Sequence, residues 1–210
     1  MGLLFKEYVK PGCLLGIWET SEDFITLYSD LNLSEDEVHT LNSFGNYSRK
    51  LEWLTVRSLL NDLVGRKVKI HYNGKRKPFL NDEKFNISIS HSKRLTSVIL
   101  SREHRVGIDM EHMSGKITGL SEKFLSSEEE SAISKEREKY HIYLYWCAKE
   151  ALYKICDMQN LNFKKDIIID PFEPRDNGTF TGRVIKSGVN EEFQLEYFRY
   201  GDYLIVWCCK

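Results

Sequence analysis

Four side chains in this 210-residue sequence have the types and spacing to gather charge at one place: Asp109, Glu111, Glu150 and Lys154. Asp109 and Glu111 belong to RVGIDME (105–111), where Val106, Ile108 and Met110 alternate with Gly107, Asp109 and Glu111 as strand residues do. The two acids therefore share one face, about 7 Å apart. Glu150 and Lys154 lie in WCAKEALYK (146–154), inside a predicted helix over 141–157, and as an i,i+4 pair they also share a face. If strand and helix pack together, three carboxylates converge beside a lysine. Carboxylates withdrawn from water repel one another unless something positive joins them. A hard divalent ion suits such a set, and Mg2+ binds through few carboxylates and completes its shell with substrate phosphate. Taken singly, each half has a plainer reading: an acid pair on a solvated strand face, and Glu–Lys electrostatics on a helix surface.

The elements that must position these residues can be read in order. CLLGIWE and FITLY, within residues 3–28, read as short β-like runs. LSEDEV (33–38) starts a helix, with Ser34 as cap and Glu37 completing a capping box. Residues 49–65 form an amphipathic helix whose stripe includes Leu51, Leu54, Leu59 and Leu63, with Gly65 as C-cap. A strand at VKIHYN leads to a polar loop, NGKRKPFLND, where Lys75, Arg76 and Lys77 form either a solvated run or a phosphate clamp. FNISISHSKRLTSVILS reads as strand, turn, strand, with Ser90, His91 and Ser92 in the turn. KFLSSEEESAI starts another helix, KKDIIIDPFEP is a strand stopped by Pro171, and EPRDNGTFTGRVIKSGVNEE reads as a loop-rich excursion with a short strand or two. FQLEYFRYGDYLIVWCC closes the chain as a hairpin. The hairpins starting at Phe85 and Phe193 echo each other, each preceded at a distance by a strong helix, so His91 falls opposite Arg199. The fold class expected is α+β, in two similar halves, 1–103 and 104–210, with a ligand cleft between them as the default site.

Composition sets further bounds. A formal net charge of −1 points neither to nucleic acid nor to a membrane surface. No run is long enough to span a bilayer, the first residues lack a signal-peptide core, and Lys6 stands where a myristoylation signal needs Ser or Thr. Cys13, Cys147, Cys156, Cys208 and Cys209 form no CxxC pair and read as reduced thiols of a cytoplasmic protein.

VGIDME, followed by the Lys149 of WCAKEALYK, resembles the signature pair of the 4′-phosphopantetheinyl transferases. RKLEWLTVR is similar to that family's first-helix arginine motif, GKRKPFL to its Lys-Pro loop, NISISHS to its Ser-His segment, and KFLSSEEE to the Phe-rich stretch before its acidic helix. Length and two-part organisation resemble the surfactin-synthetase-activating type, in which both halves lie in one chain. The resemblance implies two α+β halves about a pseudo-twofold axis with coenzyme A between them. It also implies transfer of the phosphopantetheine arm of coenzyme A to a serine of an apo acyl or peptidyl carrier protein, in a monomer.

Carried over residue by residue, the resemblance gives Asp109, Glu111 and Glu150 to Mg2+, Glu150 the role of base, and Lys154 the pyrophosphate. Arg49 and His91 match positions that hold the 3′-phosphate, Lys77 and Pro78 the adenine-side loop, and Ser90 an adjacent contact. Several readings stay open. His91 is either a phosphate ligand or a turn histidine, Lys149 serves phosphate or only flanks the site, and Phe124 is core or carrier-docking surface. Asp109 is expected to face solvent in a charged cleft, Trp146 to be core, and Arg57 reads equally as a structural arginine of its helix. The sequence departs from the family before Phe44, where SEDEVHTLNSF carries acids and His39 but no Lys or Arg. Two other classes compete: a different Mg-dependent phosphate transferase, and a non-catalytic module that binds coenzyme A or a carrier. The sequence has no GxxxxGK[ST] loop and no Rossmann glycine fingerprint, which argues against the common nucleotide folds.

Overall fold

The computed structural model describes residues 2–74, 77–80, 84–158 and 160–210. Lys75 and Arg76 of the predicted basic loop lie outside the described residues. The chain divides into two compact units, Met1–Glu103 and His104–Lys210.

In the first unit, strands β1 (Leu3–Lys10) and β2 (Cys13–Glu19) precede three helices, α1 (Phe24–Leu31), α2 (Glu35–Ser43) and α3 (Tyr47–Val64). A short ribbon of β3 (Ile70–Tyr72) and β4 (Pro78–Leu80) follows, then a hairpin of β5 (Asn86–Ser92) and β6 (Leu95–Ser101). The sheet runs β1-β2-β6-β5, antiparallel throughout. Leu14 of β2, Val98 of β6 and Leu59, Leu60 and Leu63 of α3 form its core. The capping expectations for α2 and α3 hold: Glu37 accepts the Ser34 N–H at 3.2 Å, and Gly65 ends α3 at φ 74°.

The second unit opens with β7 (Val106–His112). After a 3-10 turn (Thr118–Leu120) come the short helices α4 (Ser121–Phe124) and α5 (Ser127–Ser131), and then the long α6 (Glu138–Cys156). β8 (Ile167–Ile169), β9 (Asn177–Lys186), β10 (Val189–Tyr200) and β11 (Tyr203–Cys209) complete it. The sheet order is β7-β11-β10-β9-β8, again antiparallel. α6 packs on it through buried Leu144, Ala148, Ala151, Leu152 and Ile155. Trp146 meets Phe124 edge-on at 5.1 Å, and Phe124 is buried in the same core, so it is not a docking side chain.

Three local expectations are corrected. FITLY is not a strand but most of α1. Asp23 caps it by accepting the Thr26 N–H at 2.9 Å, and the i,i+4 pair Leu27 and Leu31 is buried. Ser90, His91 and Ser92 lie at the end of β5, and the turn is Lys93–Arg94, with Lys93 at φ 50°. The stretch expected to be loop-rich with a short strand or two is instead the long strand β9 and the start of β10. There Phe180, Gly182 and Val184 face inward at every second position, the two-residue period of a strand. All five cysteines are free, four buried and Cys209 half-buried. Among the described residues no helix is long and apolar enough to cross a membrane.

Candidate active site

The second unit brings strand β7 under helix α6. Gly107 permits this closeness: a Cβ there would lie 2.2 Å from the Ala151 carbonyl oxygen, a backbone atom that cannot step aside. Alternation then aims Asp109 and Glu111 the same way as Gly107, toward the helix. Glu150 and Lys154 are on the half of α6 that meets them.

Asp109 is buried, at 5% exposure, which corrects the expectation of a solvent-facing acid. Its Oδ1 accepts from Lys154 Nζ at 2.7 Å, and the same ammonium donates to the Ile108 carbonyl at 3.0 Å. The Glu150 carboxyl is pushed up to about 7, first by burial and then by the Asp109 charge. Glu111 adds to this, and Lys154 opposes it. Burial, followed by the Asp109 and Glu111 charges, likewise holds the Cys147 thiol protonated, well above its ordinary range. Three acids thus act on one another through a poorly solvated space, partly offset by one ammonium.

That donor set suits a hard divalent cation. It offers only carboxylate oxygens, and a second positive charge would relieve the repulsion recorded at Glu150. Asp109, Glu111 and Glu150 are the residues that would hold it. Among the described residues, no three His, Cys, Asp or Glu side chains are gathered as metal ligands, and Asp109 is turned to Lys154.

Lys149, the neighbour of Glu150, is fully buried and pairs with Glu129 Oε2 at 2.8 Å. Glu129 was missed as a partner. Its capping box with Ser126 was legible in SSEE, but its pairing with a lysine twenty residues on has no local signal.

In the first unit, Arg49 on α3 and His91 on β5 come together, with Arg49 Nη1 and His91 Nε2 3.0 Å apart. Glu52, not singled out in the sequence, joins them: its Oε2 accepts from Arg49 at 3.0 Å and lies 3.8 Å from His91 Nε2. Lys77 closes the β3–β4 loop, its N–H donating to Asn73 Oδ1 at 2.9 Å, and Pro78 opens β4. Ser90 is buried beside His91, and its carbonyl accepts from Ser97 Oγ at 3.3 Å. Arg57 is a structural residue. It is buried over the Trp53 ring at 3.1 Å and pairs with Glu37 at 3.3 Å, and burial lowers its guanidinium to about 10.

Residues 105–208 match the family model of the 4′-phosphopantetheinyl transferase superfamily. The matched stretch covers nearly the whole second unit and includes Asp109, Glu111, Glu150 and Lys154. No curated protein matches the chain.

Proposed function

We propose, from the match of the second unit to the 4′-phosphopantetheinyl transferase superfamily, that this chain moves the 4′-phosphopantetheine arm of coenzyme A to a serine of an apo carrier protein. Holo carrier and adenosine 3′,5′-bisphosphate are the products. The observation that carries the proposal is the cluster of Asp109, Glu111, Glu150 and Lys154 under one face of α6, with the Glu150 carboxyl pushed up to about 7.

In this reading Glu150, directly or through water, takes the proton of the carrier serine hydroxyl. The serine oxygen bonds to the phosphorus attached to pantetheine, and the bond from that phosphorus to the bridging oxygen of the pyrophosphate breaks. Lys154 exchanges Asp109 for the pyrophosphate and offsets charge on the leaving oxygen. Asp109, Glu111 and Glu150 would hold Mg2+, which when bound would supply neutralisation of the phosphate charge. A metal-bound carboxylate is a weaker base, so the relay through water suits Glu150 when it is also a ligand.

At the nucleotide end, Arg49 and His91 hold the 3′-phosphate, for which they must release Glu52. Lys77, Pro78 and Ser90 serve the adenine side. The pseudo-twofold relation of the halves, a coenzyme A site between them, a monomeric state and a cytoplasmic location belong to the same proposal and rest on the family resemblance.

The test is incubation with coenzyme A, Mg2+ and an apo acyl or peptidyl carrier, followed by mass measurement of the carrier. The expected result is the added mass of the phosphopantetheine arm. Binding of coenzyme A or carrier without that mass would replace the transferase reading with a binding module, and phosphate release without a carrier would replace it with another phosphate transferase.

A further inference from the structure

The middle of α6 holds a buried ion pair that the transfer chemistry does not use. Lys149 Nζ donates to Glu129 Oε2 at 2.8 Å, to the Phe163 carbonyl at 2.7 Å and to the Ile167 carbonyl at 2.6 Å. An ammonium has three protons, so every donor is taken. Glu129 also accepts the Ser126 N–H at 2.8 Å on Oε2 and the Ile169 N–H at 2.9 Å on Oε1. Both side chains are shut off from solvent, at 0% and 2% exposure. One pair therefore ties α6 to the start of α5, to β8 and to the chain leading into it.

Such a pair is a poor device for stability. Desolvating two charges costs several kcal/mol, and apolar side chains of similar volume hold a core as well or better. Leu144, Ala148 and Leu152 already do so around it. What leucines do not supply is direction. Three hydrogen bonds from one nitrogen to fixed acceptors define how α6 is rotated about its own axis. Glu150 is the next residue, about 100° around the helix, and Lys154 lies on its face. A rotation of roughly 20° would carry an atom on the outer radius of the helix by about 2 Å. That is enough to break the 2.7 Å bond between Lys154 and Asp109.

We propose that the Lys149–Glu129 pair is a positioning device that fixes the rotation of α6, so that Glu150 and Lys154 face Asp109. It acts through those residues and touches no substrate, and it rests on the transferase reading above. The double variant Glu129→Gln/Lys149→Met removes both charges and nearly keeps the shape, so it avoids stranding one buried ion.

The experiment compares this variant with the wild-type chain. Circular dichroism and thermal melting check the fold, kcat and KM are measured for transfer from coenzyme A to an apo carrier with Mg2+, and a crystal structure of the variant is determined. The expected result is a native fold, KM for coenzyme A within about threefold, and kcat lower by about tenfold to 10²-fold, the cost of a misplacement of about 1 Å. In the crystal, Lys154 Nζ should no longer lie within hydrogen-bonding distance of Asp109. A folded variant with wild-type kcat and the 2.7 Å bond intact overturns the proposal. If wild-type protein transfers nothing, the transferase reading falls, and the Lys154–Asp109 geometry of the variant alone decides the positioning role. If the double variant does not fold, Glu129→Asp, which keeps both charges and draws the carboxylate back by one carbon, is the milder form. It should lower kcat in the same direction while sparing KM, and wild-type kcat there would overturn the proposal equally.

Discussion

The two units share a plan and differ where the charged side chains meet. In each, an opening strand pairs with the second strand of a hairpin, and a long helix covers them: β2-β6-β5 under α3, and β7-β11-β10 under α6. The turns match, for the residues flanking them pair as Ser92 with Leu95 and as Tyr200 with Tyr203, and a left-handed residue, Lys93 or Gly201, follows each first strand. Val98 and Val206 are the fourth residues of β6 and β11, and they pair with Gly16 and Asp109. Leu59 and Glu150 are the thirteenth residues of α3 and α6, and Leu63 and Lys154 the seventeenth. The first unit thus has Gly16, Leu59 and Leu63 where the second has Asp109, Glu150 and Lys154. A Cβ on Gly16 would lie 2.7 Å from Leu63 and 2.9 Å from Leu59, so the same three positions also meet in the first unit, as packed hydrocarbon. The other corner of the plan keeps its polarity. Arg49 and Tyr140 are the third residues of their helices, and each meets the next-to-last residue of its hairpin strand: Arg49 meets His91 at 3.0 Å, and Tyr140 lies under Arg199 at 5.9 Å. One scaffold can therefore hold a charge cluster or a leucine contact at the same place, and the helix–sheet packing does not require either.

The sharpest break of this comparison is Glu150→Gln, which brings the second unit a step toward the uncharged first. Transfer should fall by at least ~10³, since both charge and basicity are lost, while coenzyme A still binds by calorimetry. Wild-type turnover would remove Glu150 from the chemistry. The converse change, Gly16→Asp, forces a carboxylate against Leu59 and Leu63, across from a Lys6 whose ammonium is already committed to Asp62. It should cost about 3–5 kcal/mol in denaturant unfolding or prevent folding. A stable Gly16→Asp protein would show that the leucine contact yields readily to a charge.

The next effect separates the units by pH. His141, the fourth residue of α6, has Lys50 as its counterpart in α3. Burial lowers His141 to about 4, and its Nδ1 accepts the Ser134 N–H at 3.1 Å. The unfolded chain binds the proton more readily, so stability is full above the ordinary histidine range and falls as pH drops from about 6.5 toward 4. Between pH 7 and pH 5 the loss should be about 2 kcal/mol from this group. Denaturant melts at the two pH values check it, and His141→Asn, which can still accept the Ser134 N–H, should remove most of the difference.

The smallest effect is at the polar corner of the first unit. Arg49→Ala and His91→Ala should raise KM for coenzyme A about tenfold with little change in kcat, and should handle dephospho-coenzyme A much as wild type does. Mutants that still discriminate against it as strongly as wild type would show that this corner does not read the 3′-phosphate.

The sequence revealed the faces of elements better than the depth at which they lie. Alternation in RVGIDME put Asp109 and Glu111 on one side, and i,i+4 spacing paired Glu150 with Lys154. Neither says how near the helix comes, so Asp109 was expected in solvent and is buried. Lys149 and Glu150 are neighbours of similar polarity, and nothing local tells which one turns inward. The match of Arg49 with His91 spans 42 residues and became visible only through the family resemblance, whereas Glu52 between them had no such prompt. FITLY misled because its aromatic and β-branched residues favour strands, while the Asp23 cap and the Leu27–Leu31 stripe carried the helix signal. In β9 the inward Phe180, Gly182 and Val184 had the right period, but the surrounding Gly, Asn and Asp residues masked it.

Gly107 has a consequence for how loss of function would look in a genetic screen. It makes no ionic contact, yet any side chain there must push α6 off β7 by roughly 1 Å to clear the Ala151 oxygen. Two of the acids ride on the strand and the third on the helix, so one added methyl would widen the gap between carboxylates that it never touches. Under the proposed metal-holding role of the three acids, an allele at this position would pass for a defect in ion affinity, correctable by excess Mg2+, although every proposed ligand is still encoded. The missing carbon works as a gauge block, setting the spacing of charges by its thickness of zero.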